Sequence, residues 1–247
     1  MLEMLSVLLL IMVIFVVALL IGKLVNHFML RDRARRRELA GLAKEMDWDF
    51  RHELWASQTY DFSQFSVFST GIERRAYNTL HGRLMLGKHN CEVRMGDFQY
   101  INQSASGGEH SADDALFVNR KKFSYLMVVL PFGDIPKLLI RPEGMFDKLK
   151  AKVGLEDINF ESIEFSRRFF VNSDSRRFAF DVVSQPMMEL LLDSKPPLID
   201  LEGGAVLFTD GQRRWSREEF TLTLNWVRQF FGLWPDHLLD TLDRNNS

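Results

Sequence analysis

Residues 76–101 read AYNTLHGRLMLGKHNCEVRMGDFQYI. Two apolar-rich runs, 76–86 and 91–101, flank Gly87-Lys88-His89-Asn90, and that pattern predicts a β-hairpin. In the second run Val93, Met95 and then Phe98 and Tyr100 alternate with polar residues, the period of a half-buried strand. The alternation slips at Gly96-Asp97, which predicts a bulge there. Strands joined this locally pair antiparallel.

Working outward, 121–130 is apolar enough for a central strand, and Pro131 and Pro136 bracket a turn before a short strand at 138–140. Residues 163–172 read as another strand. Residues 198–202 and 205–209 form a second hairpin, with Gly203-Gly204 supplying the positive φ its turn needs. A helix is expected over 24–46, where Leu39, Leu42, Ala43 and Met46 fall at helical spacing and Asp47 ends it. Others are expected from Pro142-Glu143 to about residue 153, and from a cap at Asp174 or Ser175 to residue 193, interrupted at Gln185-Pro186. A last helix is capped by Ser216, with Glu218 and Glu219 in its first turn and Leu222, Trp226 and Phe230 along one face. Residues 51–70, with Trp55, Tyr60, Phe62, Phe65 and Phe68, read as an irregular wrapping segment, and 102–119 as a loop. Six to eight strands in hairpins and four helices make an α+β fold with a mainly antiparallel sheet. Twenty-one Phe and five Trp can fill its core.

Residues 4–22 carry Ser6 as their one polar side chain. Nineteen helical residues span roughly 28 Å, which predicts a membrane-spanning helix. Met1, Leu2 and Glu3 supply no basic side chain before it and no small-residue cleavage pattern follows it, so the expectation is an uncleaved anchor, not a signal peptide. Lys23, Arg31, Arg33, Arg35, Arg36 and Arg37 all lie after the run. The positive-inside rule then puts the N-terminus outside and the rest in the cytoplasm. The expected plan is an anchor over 1–23, a basic helix over 24–47, a soluble α+β domain over 48–240 and a tail over 241–247.

The arginines in RDRARRR, residues 31–37, carry a second meaning. Beside a bilayer each is drawn to anionic headgroups by about 1 kcal/mol, which makes Arg31, Arg33, Arg35, Arg36 and Arg37 candidate lipid-headgroup contacts and the lipid bilayer the expected partner, alongside a protein partner. The formal net charge of −2 and the lack of basic residues interleaved with strand aromatics argue against nucleic acid.

The segment 157–207 reads DINFESIEFSRRFFVNSDSRRFAFDVVSQPMMELLLDSKPPLIDLEGGAVL. It resembles a family of bacterial proteins with no established activity, whose pattern is D-I-x-F-E-S-x-x-F-x-R-R-F-x-V, then D-x-R-F-A-x-D-V, P-x-M-M-x-x-L and an E-G-G hairpin. Upstream, Arg74, Arg75, Asn78, Leu80 and Gly82 match its R-R-x-x-N-x-L-x-G element, and Pro142, Glu143 and Gly144 match a P-E-G. The resemblance covers roughly residues 40–235. It implies one coherent domain of bacterial origin and no particular activity.

Within that segment Glu161, Glu164, Arg167, Arg168, Arg176 and Arg177 read as a structural ion-pair network or as an anion site. None of the six histidines sits at H-x-x-H or H-E-x-x-H spacing. His81, His89 and Cys91 could meet across the first hairpin as a zinc site, but a lone cysteine and two histidines on strands are more often structural. There is no G-x-S-x-G, P-loop or G-x-G-x-x-G. The sequence therefore offers no catalytic, cofactor-binding or metal-binding residue and no cofactor. It points to a non-enzymatic binding or scaffold domain. The alternatives are an enzyme built around the Glu161–Arg177 charges, or a subunit of a larger membrane complex.

Overall fold

A computed structural model describes residues 2–53, 63–102, 120–133, 135–143 and 157–245. Within these, α1 (Leu2–Glu45) is followed by β1 (Asp49–Glu53), α2 (Ser66–Ser69), β2 (Ile72–Leu86), β3 (His89–Ile101), β4 (Arg120–Val129) and β5 (Leu138–Pro142). Then come α3 (Ile163–Arg168), β6 (Phe169–Ser173), α4 (Arg176–Val182), α5 (Gln185–Asp193), β7 (Leu198–Glu202), β8 (Ala205–Thr209), α6 (Arg217–Gly232) and α7 (Asp236–Asn245). The eight strands form one sheet in the order β1-β2-β3-β4-β8-β7-β5-β6, and every pairing is antiparallel.

The sheet buries two unequal faces. On the major face Val93, Met95, Leu126, Val128, Ile199, Leu201, Val206 and Phe208 meet the helices. Leu39, Leu42 and Ala43 of α1 cover one end, and Phe220, Leu224, Val227, Phe230 and Phe231 of α6 cover the middle. On the minor face Phe98, Phe123, Tyr125, Met127 and Leu207 pack beneath Phe65, Val67 and Phe68. The short α2 thus supplies the lid that the aromatic run 51–70 was expected to wrap; residues 54–62 of that run lie outside the described residues.

Both hairpins form where local chemistry dictates. Gly203 and Gly204 have φ of 60° and 74° and join β7 to β8. Between β2 and β3 the register skips at Tyr77/Leu80, so the bulge expected at Gly96-Asp97 lies on the opposite strand: Asn78 and Thr79 face the single residue Gly96. Gly96 marks the spot because a Cβ there would stand 2.9 Å from the Asn78 carbonyl oxygen and the Thr79 Cα. Asn78 takes φ 50°, a left-handed conformation that asparagine tolerates better than most residues.

Several expectations are corrected. Residues 163–172 are not one strand. Ser162 accepts a hydrogen bond from the Phe165 amide and caps α3, so the chain turns once before β6 begins. The inward stripe of α6 is Phe220–Leu224–Val227–Phe231, at i, i+4, i+7 and i+11, and Leu222 stands 66% exposed. Ser216 does cap α6, with Glu219 closing a reciprocal capping box. Pro142 ends β5, and residues 144–153 of the helix expected to follow, like the loop over 103–119, lie outside the described residues.

The largest correction concerns α1. Among the described residues no helix is long and apolar enough to cross a membrane. This overturns the membrane-spanning anchor expected over 4–22 and the single-pass, signal-anchored plan built on it. Among the described side chains, residues 11–22 of α1 are an exposed apolar run. The helix also does not end with that run; it continues as one 44-residue element through the arginines to Glu45. Asp47, at φ 56°, then stops it, with the Trp48 amide donating back to the Ala43 carbonyl at 2.8 Å.

Candidate functional site

The arginine-rich stretch of α1 lies across the major face of the sheet, and its side chains divide between inside and outside. Arg35 stands four residues before Leu39 and seven before Leu42, so it belongs to the buried stripe. Its guanidinium grips the Asp97 carboxylate with both prongs, Nη2 to Oδ1 at 3.1 Å and Nε to Oδ2 at 3.2 Å. Asp97 is fully buried and also accepts from Ser124 Oγ at 2.7 Å and Asn78 Nδ2 at 3.4 Å. Ser124 Oγ in turn accepts from the Trp215 amide at 2.9 Å. Burial works against the charge on Arg35, but hydrogen bonding to Asp97 and its field outweigh that and raise the guanidinium pKa.

This hub joins six elements: α1, β1, β2, β3, β4 and α6. Phe220 of α6 lies beneath the Arg35 guanidinium at 5.6 Å. The Arg217 amide at the start of α6 donates to Glu38 at 3.2 Å, and the Arg217 side chain pairs with Glu45. On the far side Asn78 Oδ1 meets His52 Nδ1 at 3.0 Å, and the other ring nitrogen of His52 meets Arg36. Asn78 thus uses its left-handed backbone to aim one amide at both His52 and Asp97.

With Arg35 turned inward, Arg31, Arg33, Arg36 and Arg37 face solvent. Arg31, Arg33 and Arg37 make no ion pair among the described residues. The strand ends beneath α1 extend the basic surface. Arg120 pairs with Glu73 at 3.5 Å, and Asp32 is shared between Lys122 at 3.9 Å and Arg214 at 3.5 Å. Burial lowers the Lys122 ammonium pKa, and Arg214, Arg120 and Arg75 lower it further against the pull of Asp32. Cations from α1, β2, β4 and the turn before α6 therefore share one neighbourhood, although they are scattered through the sequence.

The Glu161–Arg177 charges do not form one buried network. All six side chains are exposed. Glu164 pairs with Arg168 at 3.4 Å, Arg177 pairs with Asp181 at 3.9 Å, and Arg168 also donates to the Leu192 carbonyl at 3.0 Å. Arg167 and Arg168 border an open cleft, while the other four do not line it. The motif around them is held by neighbours: Asp157 accepts from the Val171 amide at 3.0 Å, and Ser166 bridges the amide and carbonyl of Phe160.

Among the described residues no three His, Cys, Asp or Glu side chains are arranged to hold a metal. Cys91 is buried, and burial pushes its thiol up to about 11, far from the range of a reactive thiolate. Gly82, the last residue of the R-R-x-x-N-x-L-x-G element, lies under Trp48, whose ring a Cβ would meet at 2.0 Å. The site thus gathers basic and hydrogen-bonding groups from several elements.

The fold and the face together define an α+β domain on a single antiparallel sheet with a basic helix seated at one end. No protein-family model and no curated protein matches the chain. Among solved structures, the mycobacterial trehalose monomycolate transport factor A, TtfA, is similar with a TM-score of 0.51 and 14% identity, over 80% of this chain and 93% of that one. At that identity the likeness is one of fold.

Proposed function

We propose that this chain is a non-enzymatic binding domain that docks its basic face onto anionic lipid headgroups. The observation that carries the reading is the division of the arginines. Arg35 is spent on Asp97 to fix the helix, and that fixing aims Arg31, Arg33 and Arg37 outward with no acidic partner among the described residues. Guanidinium groups suit phosphate because their planar donors can bond two oxygens at once. The strand-end cations broaden the surface beyond one helix, as an extended anionic surface requires. The fold neighbour is named as a transport factor, a designation in keeping with a role in binding.

The test uses vesicles and the triple variant R31E/R33E/R37E. At about 1 kcal/mol per arginine, removing three should weaken binding to anionic vesicles by about a hundredfold. Undiminished binding by this variant would overturn the reading. Circular dichroism checks its fold, which should be intact because the substituted side chains are exposed.

A further inference from the structure

A second surface lies away from the basic face. Neighbours in the chain divide between the two: Arg214 turns to Asp32 under α1, while Arg213 turns to Glu219 at 2.9 and 2.6 Å. On the Arg213 side a groove runs along α6. Its wider part has a volume of about 760 Å³ and lies between α3, the 194–197 loop and the first turns of α6. A narrower part of about 360 Å³ shares Ser194–Pro197, Leu222 and Thr223 and continues down α6 past Trp226.

The two parts differ in chemistry. In the wider part Arg213 is occupied by Glu219 and by Asp210 at 3.6 Å. Arg168 is held by Glu164 and the Leu192 carbonyl, which leaves Arg167 and Lys195 against Glu143. Arg167 and Lys195 have no ion-pair partner among the described residues. Along the shared stretch an apolar strip of Pro196, Pro197 and Leu222 runs beside Ser194, Lys195 and Thr223: the prolines present no N–H to satisfy, and Leu222 faces them from α6 while 66% exposed. A leucine that is turned out of the core stripe and lines a groove ending in unpaired cations matches a ligand with two ends.

We propose that this groove binds an amphiphilic anion, with its phosphate or carboxylate head at Arg167 and Lys195 and its hydrocarbon chain over Leu222 and the two prolines. An acidic peptide would lack a continuous apolar body for the narrower part, and a free phosphate would leave the apolar wall unused. The proposal concerns a different surface from the basic face and does not depend on it.

The probe is decyl phosphate, titrated into the full chain by calorimetry below its micelle-forming concentration, with inorganic phosphate and decanol as the two halves of the ligand. Saturable one-to-one binding is expected for decyl phosphate, at least tenfold tighter than for either half. R167A/K195A should weaken it at least tenfold, and L222N should weaken decyl phosphate while leaving inorganic phosphate unchanged. Equal binding of inorganic phosphate or decanol, or unchanged binding by R167A/K195A, would overturn the proposal. R31E/R33E/R37E separates the two surfaces. It should bind decyl phosphate normally, and a loss confined to that variant would place the ligand on the basic face and sink the groove.

Discussion

Arg35 and Asp97, 62 residues apart in the chain, form a two-pronged ion pair that fastens α1 to the middle of the sheet. Asp97 is fully buried, and Arg35 is the cation that pairs with it. Arg35→Ala should lower stability by about 3–5 kcal/mol, because it strands a carboxylate in the interior. The double variant R35M/D97L should recover much of the loss, since a buried ion pair adds little beyond a well-packed apolar pair. Urea unfolding of the three variants measures both. A double variant no more stable than R35A would show that the polar network itself holds the helix.

Asn78 links the same hub to the bulge. At φ 50° an alanine is strained by about 1–2 kcal/mol, and a glycine is not. Both substitutions lose the bonds to Asp97 and His52. Asn78→Ala should therefore be less stable than Asn78→Gly by about 1 kcal/mol, and both less stable than the parent. Equal stability of the two variants would mean that the backbone relaxes out of the left-handed region.

Much of this architecture was legible because it is written locally. Gly203-Gly204, Ser216 with Glu219, and Asp47 each act within a few residues, and each appears where its chemistry predicts. The misread parts depend on tertiary choice. IEFSRRFFV alternates well enough for a strand, but Ser162 offered a helix cap and the chain took it. Leu222 looked inward until Phe220, Leu224 and Val227 claimed the core stripe. Arg35 sits in sequence among outward-facing arginines and shares their expected headgroup role. Its spacing to Leu39 and Leu42 marks the buried side, yet only the distant Asp97 makes an arginine welcome there. The gathering of Arg75, Arg120, Lys122 and Arg214 beneath α1 left no trace in any short window, because β2, β4 and the turn before α6 supply it together.

Asp200 sits on β7 between its register partners Leu139 and Leu207. Burial pushes its carboxyl up to about 7, Glu202 adds to the rise and Lys137 opposes it. A folded pKa above the unfolded value of 3.8 means that the stability held by the neutral acid is complete below about pH 4 and is lost as pH rises through 7. Asp200→Asn should thus be more stable than the parent at pH 8, by about 1–3 kcal/mol after allowing for partial solvent access, with the gap closing toward pH 4. His81 runs the other way: burial, then Arg51 and Arg94, lower its ring to about 4, so it disfavours folding as pH falls below 6.5. That contribution is common to both proteins and cancels in their difference. Urea unfolding from pH 4 to 8 checks this, and a pH-independent gap would contradict it.

The basic face depends on α1, which Arg35 holds in place against Asp97. The most direct measurement is the ratio of full-chain partitioning between anionic and zwitterionic vesicles as salt is raised. The exposed apolar side chains of α1, 47–64% exposed between Leu9 and Ile21, contribute to both vesicle types and divide out of the ratio. The predicted result is a ratio above roughly a hundred at about 0.05 M salt that falls toward one near 1 M, where the Debye length shrinks to about 3 Å. A ratio near one at low salt, or one that salt does not change, would contradict it.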